Sequence, residues 1–327
     1  MKTAIQSFLS SSIHRYLELK QALGRDFANE RRVLRDFDEF MGTPGTAELT
    51  QAEFEGWCKT QSHLSPGIRR NRMRIVRNFC LYRRRTGPNC FVPDDCLFPA
   101  PHQAVQPHIF SEVEIVRLVR ASAKLPTLPR YIMRSPVLRL ALVLLHTTGL
   151  RRGELVRLTL ADFDRNEHTL FVRNSKFHKS RYLPLSADAN AEVEAYLAAR
   201  QKHHLPMLRD SPLLWSGRTE RAFSASALGD GIRKLCRSTE AREADGRLPR
   251  VHDFRHSFAV RVLLRWYHCG VDIHAKLPML ATYMGHVSIA STEYYLPFIP
   301  ELALAASNRF CSRYGALVQP LCAGGAS

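Results

Sequence analysis

The sequence contains no pair of cysteines in the C-x-x-C spacing that zinc sites and redox centres commonly use. Its eight cysteines are scattered through the 327 residues, at positions 58, 80, 90, 96, 236, 269, 311 and 322. This scatter argues against a structural zinc site and against the disulfide framework of small secreted domains. We therefore expect free, mostly packed thiols and no zinc site.

The chain also lacks a hydrophobic run long enough to cross a membrane, which takes roughly 18 apolar residues. The longest apolar candidate, PVLRLALVLL at residues 136–145, is short and is interrupted by Arg139. Residues 1–12, MKTAIQSFLSSS, contain no sustained apolar block and no small-residue cleavage pattern, so a secretory signal is not expected. Together these absences predict a cytoplasmic protein.

Acidic residues are scarce, with 30 Asp and Glu against 47 Lys and Arg, which gives a formal charge of +17 and a pI near 9.9. Such an excess attracts polyanions over about 10 Å at ordinary salt, so nucleic acid is the first partner to consider and an anionic membrane the second.

The acid deficit is greatest in residues 69–85, which hold eight arginines and no Asp or Glu. Solvated helix faces usually mix charges of both signs, so we interpret this run as a helix that faces phosphates. The arginines predicted to contact DNA here are Arg69, Arg70, Arg72, Arg74, Arg77, Arg83 and Arg84.

The length and a hydrophobic content of 45% allow two domains with cores of their own. Up to about residue 86, apolar residues at three- and four-residue intervals predict four helices. A capping box of Thr50 and Glu53 marks the third start, and Pro66 marks the fourth. Five prolines between residues 88 and 107 then predict a linker from about residue 87 and a domain boundary near residue 105.

Beyond that boundary the patterns predict helices with one interruption. Ser111 and Glu114 form another capping box. TLFVRNSKFHKSRYLPL, residues 169–185, places β-favouring residues on both sides of a polar middle and predicts two short strands joined by a turn near residues 174–179. The predicted fold class is mainly α, with a helical domain over residues 1–105 and a mostly helical domain with a small antiparallel sheet over residues 106–327.

Four clusters after residue 145 hold the residue types that would cleave a phosphodiester without a metal. Guanidinium groups bind non-bridging oxygens bidentately, an acid protonates the leaving oxygen, and a nucleophile holds the phosphate covalently. The clusters are HTTGLRRGEL with Arg151 and Glu154, NSKFHKSRYLPL with Lys176, VHDFRHSF with His252 and Arg255, and GHVSIASTEYY with His286, Tyr294 and Tyr295.

Each cluster taken singly has an ordinary structural explanation. Arg151 and Glu154 suit a surface pair three residues apart on a helix, and a turn lysine such as Lys176 is usually solvated. The tyrosines and their apolar neighbours suit the buried side of a helix. The argument for chemistry depends on all four clusters occurring in order.

This ordered set resembles the tyrosine recombinase or phage integrase family. The family's signature is an Arg in T-G-L-R-x-x-E-L, a hairpin Lys, H-x-x-R, and G-H followed nine residues later by a nucleophilic Tyr. The resemblance covers about residues 108–300 and, more loosely, the N-terminal domain. It implies a SAM-like core-binding domain at 1–105 and an integrase-type catalytic domain with a C-terminal tail at 106–327.

The family resemblance implies a site-specific DNA recombinase that cleaves and rejoins duplex DNA through a 3′-phosphotyrosyl intermediate, without metal or ATP. Arg151, Arg255 and His286 would hold the scissile phosphate, with Glu154 as the supporting acid. His252 would be the proton-handling histidine.

The same resemblance implies roles for the hairpin and for one tyrosine. Lys176 matches the general acid that protonates the departing 5′-oxygen. Lys179 and Arg181 lie on the same hairpin and are predicted to contact DNA, and Lys179 is the alternative acid. Tyr295, nine residues after His286, matches the nucleophile, and its neighbour Tyr294 does not.

The implied partners are duplex DNA with specific recombination sites and, on that DNA, a homotetramer formed through a C-terminal docking segment, for which PELALAAS (300–307) is the candidate. Accessory recombinases or directionality factors are further implied partners, in a bacterial cytoplasm and on its nucleoid. Two alternatives stay open: a type IB topoisomerase with the same chemistry but no pairing of sites, and a non-catalytic DNA-binding regulator.

Overall fold

A computed structural model of the protein describes residues 7–25, 27–42, 48–100, 106–126, 131–173, 180–216, 221–242, 246–286, 288–293 and 295. The chain divides into two compact units, Met1–Val105 and Gln106–Ser327. The protein is mostly helical with small antiparallel sheets, which confirms the predicted fold class.

The first unit contains the four predicted helices, α1 (Ser10–Ala22), α2 (Ala28–Met41), α3 (Gln51–Thr60) and α4 (Pro66–Arg84). The main-chain nitrogen of Thr50 donates to the Glu53 carboxylate at 3.2 Å, as a capping box requires. Pro66 occupies the first turn of α4, where its missing N–H costs nothing. The apolar faces meet around Phe37 and Trp57, whose rings lie 5.2 Å apart edge to face.

The segment after α4, predicted as a proline-rich linker from about residue 87, packs in part against the first unit. Phe98 is buried in the core of the first unit, and Phe91 and Val92 pack against that core. A single 3₁₀ turn, Asp95–Leu97, forms among the prolines. The prolines exclude regular helix as expected, but the apolar side chains between them attach residues 90–99 to the unit.

The second unit is built around α6 (Arg134–Thr148), which is buried on most sides. It packs against α5 (Glu112–Ala123), α8 (Ala187–Lys202), α9 (Ala225–Ser238) and α10 (Val251–His268). The other α-helices among the described residues of this unit are α7 (Arg152–Leu155), α11 (Ile273–Met284) and α12 (Ala290–Glu293). The near-continuous apolar sequence of α6 explains its central place, since a helix that is apolar all round is stable only when enclosed.

A three-stranded antiparallel sheet lies beside these helices, in the order β1 (Phe163–Asp164), β2 (Thr169–Val172) and β3 (Arg181–Pro184). Val172 is paired with Arg181 in the register of β2 and β3. These two strands are the predicted ones, and their turn at 174–179 lies outside the described residues. The strand β1 and the hairpin of β4 (Trp215–Ser216) and β5 (Arg221–Ala222) were not predicted, because two-residue strands carry no readable alternation.

Within the described segments, no helix is both long and apolar enough to cross a membrane. The six cysteines in these segments are free thiols, as predicted. The described residues also contain no group of three or more His, Cys, Asp or Glu side chains that could hold a metal ion.

Candidate active site

The turn between α6 and α7 positions the first arginine of the predicted site. α6 ends at Gly149, whose backbone is left-handed with φ 62°. A Cβ atom at Gly149 would lie 2.6 Å from the ring of Phe258, so only glycine fits both the conformation and the space. The chain then enters α7 with Arg151 as its N-cap residue.

Glu154 lies beneath Arg151 and fixes its orientation. Its side chain is 2% exposed, and it accepts hydrogen bonds from the main-chain nitrogen of Arg151 at 2.9 Å and from Arg151 Nη1 at 2.7 Å. Its two carboxylate oxygens also accept from Nη1 and Nη2 of Arg181, at 3.2 and 2.9 Å. A buried carboxylate between two guanidinium groups has its charge compensated and its lone pairs used.

Three arginines hold the C-terminal end of α11. The main-chain oxygens of Tyr283, Met284 and Gly285 accept, in that order, from Arg181 Nε at 2.7 Å, Arg255 Nη2 at 2.6 Å and Arg151 Nη2 at 2.8 Å. The last carbonyls of a helix have no partner within the helix and form the negative end of its dipole, so cations are stabilised there. These bonds fix the chain immediately before His286.

Arg255 is almost fully enclosed, with 1% exposure. Its Nη1 donates to the main-chain oxygen of Gly149 at 2.7 Å, so its guanidinium spans the ends of α6 and α11. Burial, reinforced by the positive charge of Arg151, lowers the pKa of Arg255 to about 10, which leaves it charged at neutral pH. The two carbonyl bonds use two of its five N–H groups and fix the plane of the others.

His286 follows directly and is held by Thr292. Its Nδ1 lies 2.8 Å from the hydroxyl oxygen of Thr292, which is fully buried. Burial, followed by the charges of Arg255 and Arg151, lowers the pKa of His286 to about 3. The imidazole is therefore neutral at neutral pH in the free protein, with one donor and one acceptor nitrogen.

Tyr295 completes a row of four rings. Its side chain is 3% exposed, with its ring centroid 6.0 Å from that of His286 and 5.2 Å from that of His256. His256 meets the ring of the exposed His252 edge-on at 4.8 Å. Burial, with His252 nearby, lowers the pKa of His256 to about 4, so this imidazole is also neutral.

The model of the phage integrase family matches residues 110–298 of the chain, a range that includes every residue of the site described above. The chain belongs to the phage integrase family. This tyrosine recombinase is 32% identical over 310 residues to the Sinorhizobium fredii protein y4rB, which is provisionally described as an integrase/recombinase, covering 94% of this chain and 98% of the relative. It is 26% identical over 295 residues to the tyrosine recombinase XerD of Bradyrhizobium diazoefficiens, covering 83% and 85%.

Solved structures share the fold of this recombinase at low sequence identity. The XerH site-specific recombinase bound to its difH substrate, in a post-cleavage complex, superposes with a TM-score of 0.61 at 17% identity, over 85% of this chain and 78% of that one. The Tn1549 transposon integrase in complex with transposon right end DNA gives 0.61 at 16% identity, over 92% and 99%. Such likeness establishes the integrase-type fold.

The structure brings six predicted site residues together in the second unit: Arg151, Glu154, His252, Arg255, His286 and Tyr295. Lys176, Lys179 and Tyr294 lie outside the described residues. Arg181, which is predicted to contact DNA, does not lie on the exposed surface. Its side chain is 9% exposed and its guanidinium is bound to Glu154 and the Tyr283 carbonyl, so it belongs to the interior of the site.

The arginine run of α4 also differs from the uniform phosphate-facing helix predicted for it. Arg70 and Arg77 donate to the main-chain oxygens of Pro99 and Pro93, at 2.6 and 3.0 Å, and Arg72 pairs with Asp36 at 2.8 Å. Arg69 and Arg83 are partly buried as well. Arg74, Arg84 and Arg85 are exposed, and of these Arg84 also donates to the main-chain oxygen of Cys90 at 3.4 Å. The run therefore divides into part-buried arginines that hold the unit's own chain and exposed arginines that face solvent.

Sequence reasoning missed three residues of the site. Thr292 fixes His286, His256 contacts Tyr295, and Gly285 leaves room for Arg181. All three occur inside the clusters already singled out. Gly285 is the glycine of the G-H pair, but the space that it leaves for Arg181 is visible only in the fold. Nothing in the spacing of Thr292 and His256 separates them from ordinary packing residues.

Proposed function

We propose that this recombinase cleaves and rejoins duplex DNA at specific sites through a covalent bond between Tyr295 and a DNA 3′-phosphate. The convergence of Arg151, Arg255, His286 and Tyr295 in one site carries the proposal. These groups supply the two things that phosphodiester cleavage needs most, positive charge at the phosphate and a nucleophile beside it.

In the cleavage step, the phenol oxygen of Tyr295 attacks the scissile phosphorus and the bond from phosphorus to the 5′-oxygen breaks. The phenol proton leaves to a base, a role that suits the histidine row through His252, and Lys176 donates a proton to the 5′-oxygen. In the rejoining step a 5′-hydroxyl attacks the phosphotyrosine and releases Tyr295. The bond energy is kept in the covalent link, so ATP is not consumed.

The arginines stabilise the charge that develops on the non-bridging oxygens. Arg151 and Arg255 are oriented by Glu154 and by the carbonyls at the end of α11 before any substrate arrives. Such preorganised donors need little rearrangement in the transition state. Because guanidinium groups provide this charge, the chemical step requires no divalent cation.

His286 contributes a third contact to the phosphate. Thr292 occupies its Nδ1, which leaves Nε2 for a phosphate oxygen. When the Thr292 hydroxyl donates to Nδ1, the neutral imidazole carries its proton on Nε2 and donates it to the phosphate. Thr292 thereby selects the tautomer that binds an anion.

The proposed partner is duplex DNA. XerH, the lambda integrase and the Tn1549 integrase were all solved bound to DNA, and the charge of +17 on this chain favours such a polyanion. We further propose that the N-terminal unit is a core-binding domain and that four protomers assemble on two DNA sites. In some reactions accessory proteins take part. The reaction takes place on the nucleoid in a bacterial cytoplasm. The docking segment at residues 300–307 lies outside the described residues.

The test uses duplexes selected by the purified full-length chain from a pool with a randomised centre. A nicked suicide version of the selected site should trap a covalent adduct on a denaturing gel, in excess EDTA as well as without it. A strict need for a divalent ion would overturn the metal-free mechanism. Binding without any adduct would support the regulator, and an adduct without exchange between two differently labelled duplexes would support the topoisomerase.

A further inference from the structure

The position of Arg181 goes beyond the roles considered so far. We propose that Arg181 is a positioning residue that holds Glu154 and the end of α11 in place and so aims Arg151 at the phosphate. The inference rests on the proposed function. It assigns to Arg181 a role inside the site in place of a DNA contact, and it makes the start of β3 part of the structure that positions Arg151.

The geometry of Arg181 allows little other use of its guanidinium. Arg181 is the first residue of β3, opposite Val172. Three of its nitrogens donate to groups within the site: Nε to the Tyr283 carbonyl and both Nη atoms to Glu154. One side chain therefore connects a strand, a short helix and the end of a long helix.

Gly285 provides an independent sign that the site is built around this guanidinium. A Cβ atom at Gly285 would lie 2.9 Å from Nη1 and 3.2 Å from Cζ of Arg181, and 3.5 Å from Nη1 of Arg151. The residue also has a left-handed backbone with φ 67°. The absence of a side chain just before His286 leaves the space that Arg181 fills.

The charges explain why Arg181 matters for Arg151. Glu154 is shared between the two guanidinium groups, so Arg151 is oriented by a carboxylate whose negative charge is already partly compensated. Without Arg181, both oxygens of Glu154 are left to Arg151. The Arg151 guanidinium would then rotate to form a bidentate pair with Glu154. Its positive charge would be neutralised by that carboxylate instead of acting on the phosphate.

Arg173 offers a matched control on the other side of the same hairpin. It directly follows β2, it is also paired with an acid, and its side chain is 52% exposed. Its partner is Asp162, which is not part of the site. Arg173→Met therefore removes an arginine and an ion pair from the turn end of the hairpin without touching Glu154.

The experiment measures single-turnover cleavage of the suicide duplex at saturating protein, together with DNA affinity and thermal unfolding, for Arg181→Met, Arg181→Lys and Arg173→Met. Arg181→Met should slow cleavage by about 100-fold, because it misplaces the preorganised donor Arg151, with affinity changed by less than about threefold. Arg181→Lys should recover only part of the rate, because an ammonium cannot bridge Glu154 bidentately. Arg173→Met should cleave at the wild-type rate.

A kinetic double-mutant cycle with Glu154→Gln separates positioning from general support of the fold. If Arg181 acts through Glu154, the double variant should be no slower than the slower single variant. Losses that multiply, or an Arg181→Met variant as fast as wild type, would overturn the inference. Failure of the wild-type protein to form any adduct would instead remove the proposed function on which it rests.

Discussion

The arginines of α4 in the first unit and those around Glu154 in the second unit carry the same charge in opposite settings. The solvent-facing members of the run, Arg74 and Arg84 in α4 and Arg85 directly after it, lie on an exposed surface that is open to counterions. In the second unit, Arg255 is 1% exposed and the Arg181 side chain 9%. The first set is exposed to solvent, and the second is enclosed and held in one orientation.

The difference teaches that density of charge along a sequence does not reveal what the charges do. The α4 run is the more conspicuous pattern, yet Arg70, Arg72 and Arg77 hold parts of their own unit. The arginines of the site are scattered singly over more than 100 residues, at 151, 181 and 255. Their common target, the last carbonyls of α11, exists only in the folded chain.

If the second unit alone carries out the chemistry, the largest loss of covalent adduct should follow from removing the hydroxyl oxygen of Tyr295. Tyr295→Phe keeps the ring that packs against His256 and His286, so folding and DNA binding should survive while the covalent adduct disappears completely. A denaturing gel with end-labelled suicide DNA measures the adduct. Peptide mapping then identifies the residue that carries the DNA.

Tyr294→Phe is the matched control and should form the adduct at the wild-type rate. The reverse result, adduct kept by Tyr295→Phe and abolished in Tyr294→Phe, would show that the nine-residue spacing from His286 selects the wrong phenol. Adduct in both variants would move the nucleophile outside this stretch.

The second largest effect concerns the proton that the leaving oxygen needs. Lys176→Ala should slow cleavage by about two to four orders of magnitude. A 5′-thio leaving group departs as an anion, so the same variant should recover with that substrate. Rescue of Lys179→Ala in place of Lys176→Ala would move the acid along the hairpin, and no thio-rescue in either would refute a hairpin acid.

Local signals are sufficient to predict most of the fold. The capping boxes at Thr50 and Ser111 and the apolar spacing of α1 to α4 act within a few residues of the helices they specify. The order of the four clusters likewise predicts the site residues, because the residues of a family's motifs are those that its reaction requires. Gly149 and Gly285 could be predicted as helix ends for the same local reason.

The features that escaped prediction depend on contacts between distant segments. The prolines around Phe98 predict a linker, but Phe98 is buried in a core made by α1 to α4 that the local sequence does not reveal. Arg181 has no more distinctive a sequence environment than Arg173, yet one is paired with Glu154 and the other with Asp162. Only the tertiary fold decides which of two hairpin arginines lies inside the site.

Lowering the pH should destabilise the second unit before the first. Burial lowers the pKa of His146 and His256 to about 4, and that of the part-exposed His286 to about 3. A histidine with a lowered folded pKa stabilises the fold above its unfolded value near 6.5, and this stability is lost as the pH falls from there toward the folded pKa. Each contributes at most about 1.4 kcal/mol per pH unit, and less where solvent reaches it.

Within the described part of the first unit, the two histidines, His14 and His63, are exposed. Hydrogen exchange of the full chain, followed by mass spectrometry and corrected for intrinsic rates, should therefore show α6 and α10 losing protection at a higher pH than α2 and α4. Equal loss in both units would mean that the buried histidines do not govern acid stability.

The smallest effect should come from the exposed arginines in and directly after α4, which we expect to act by attraction rather than by orientation. Replacing Arg74, Arg84 and Arg85 together by Gln should weaken binding to all DNA sequences alike. It should also reduce the slope of log affinity against log salt by about 0.9 for each phosphate that the helix no longer neutralises.

Arg72→Gln is the control, because Arg72 is paired with Asp36 and its removal should lower thermal stability without changing the slope. Titrations at several salt concentrations measure the slopes. An unchanged slope in the triple variant would return the whole run to a solvated helix face, and a reduced slope in Arg72→Gln would erase the division between its two sets of arginines.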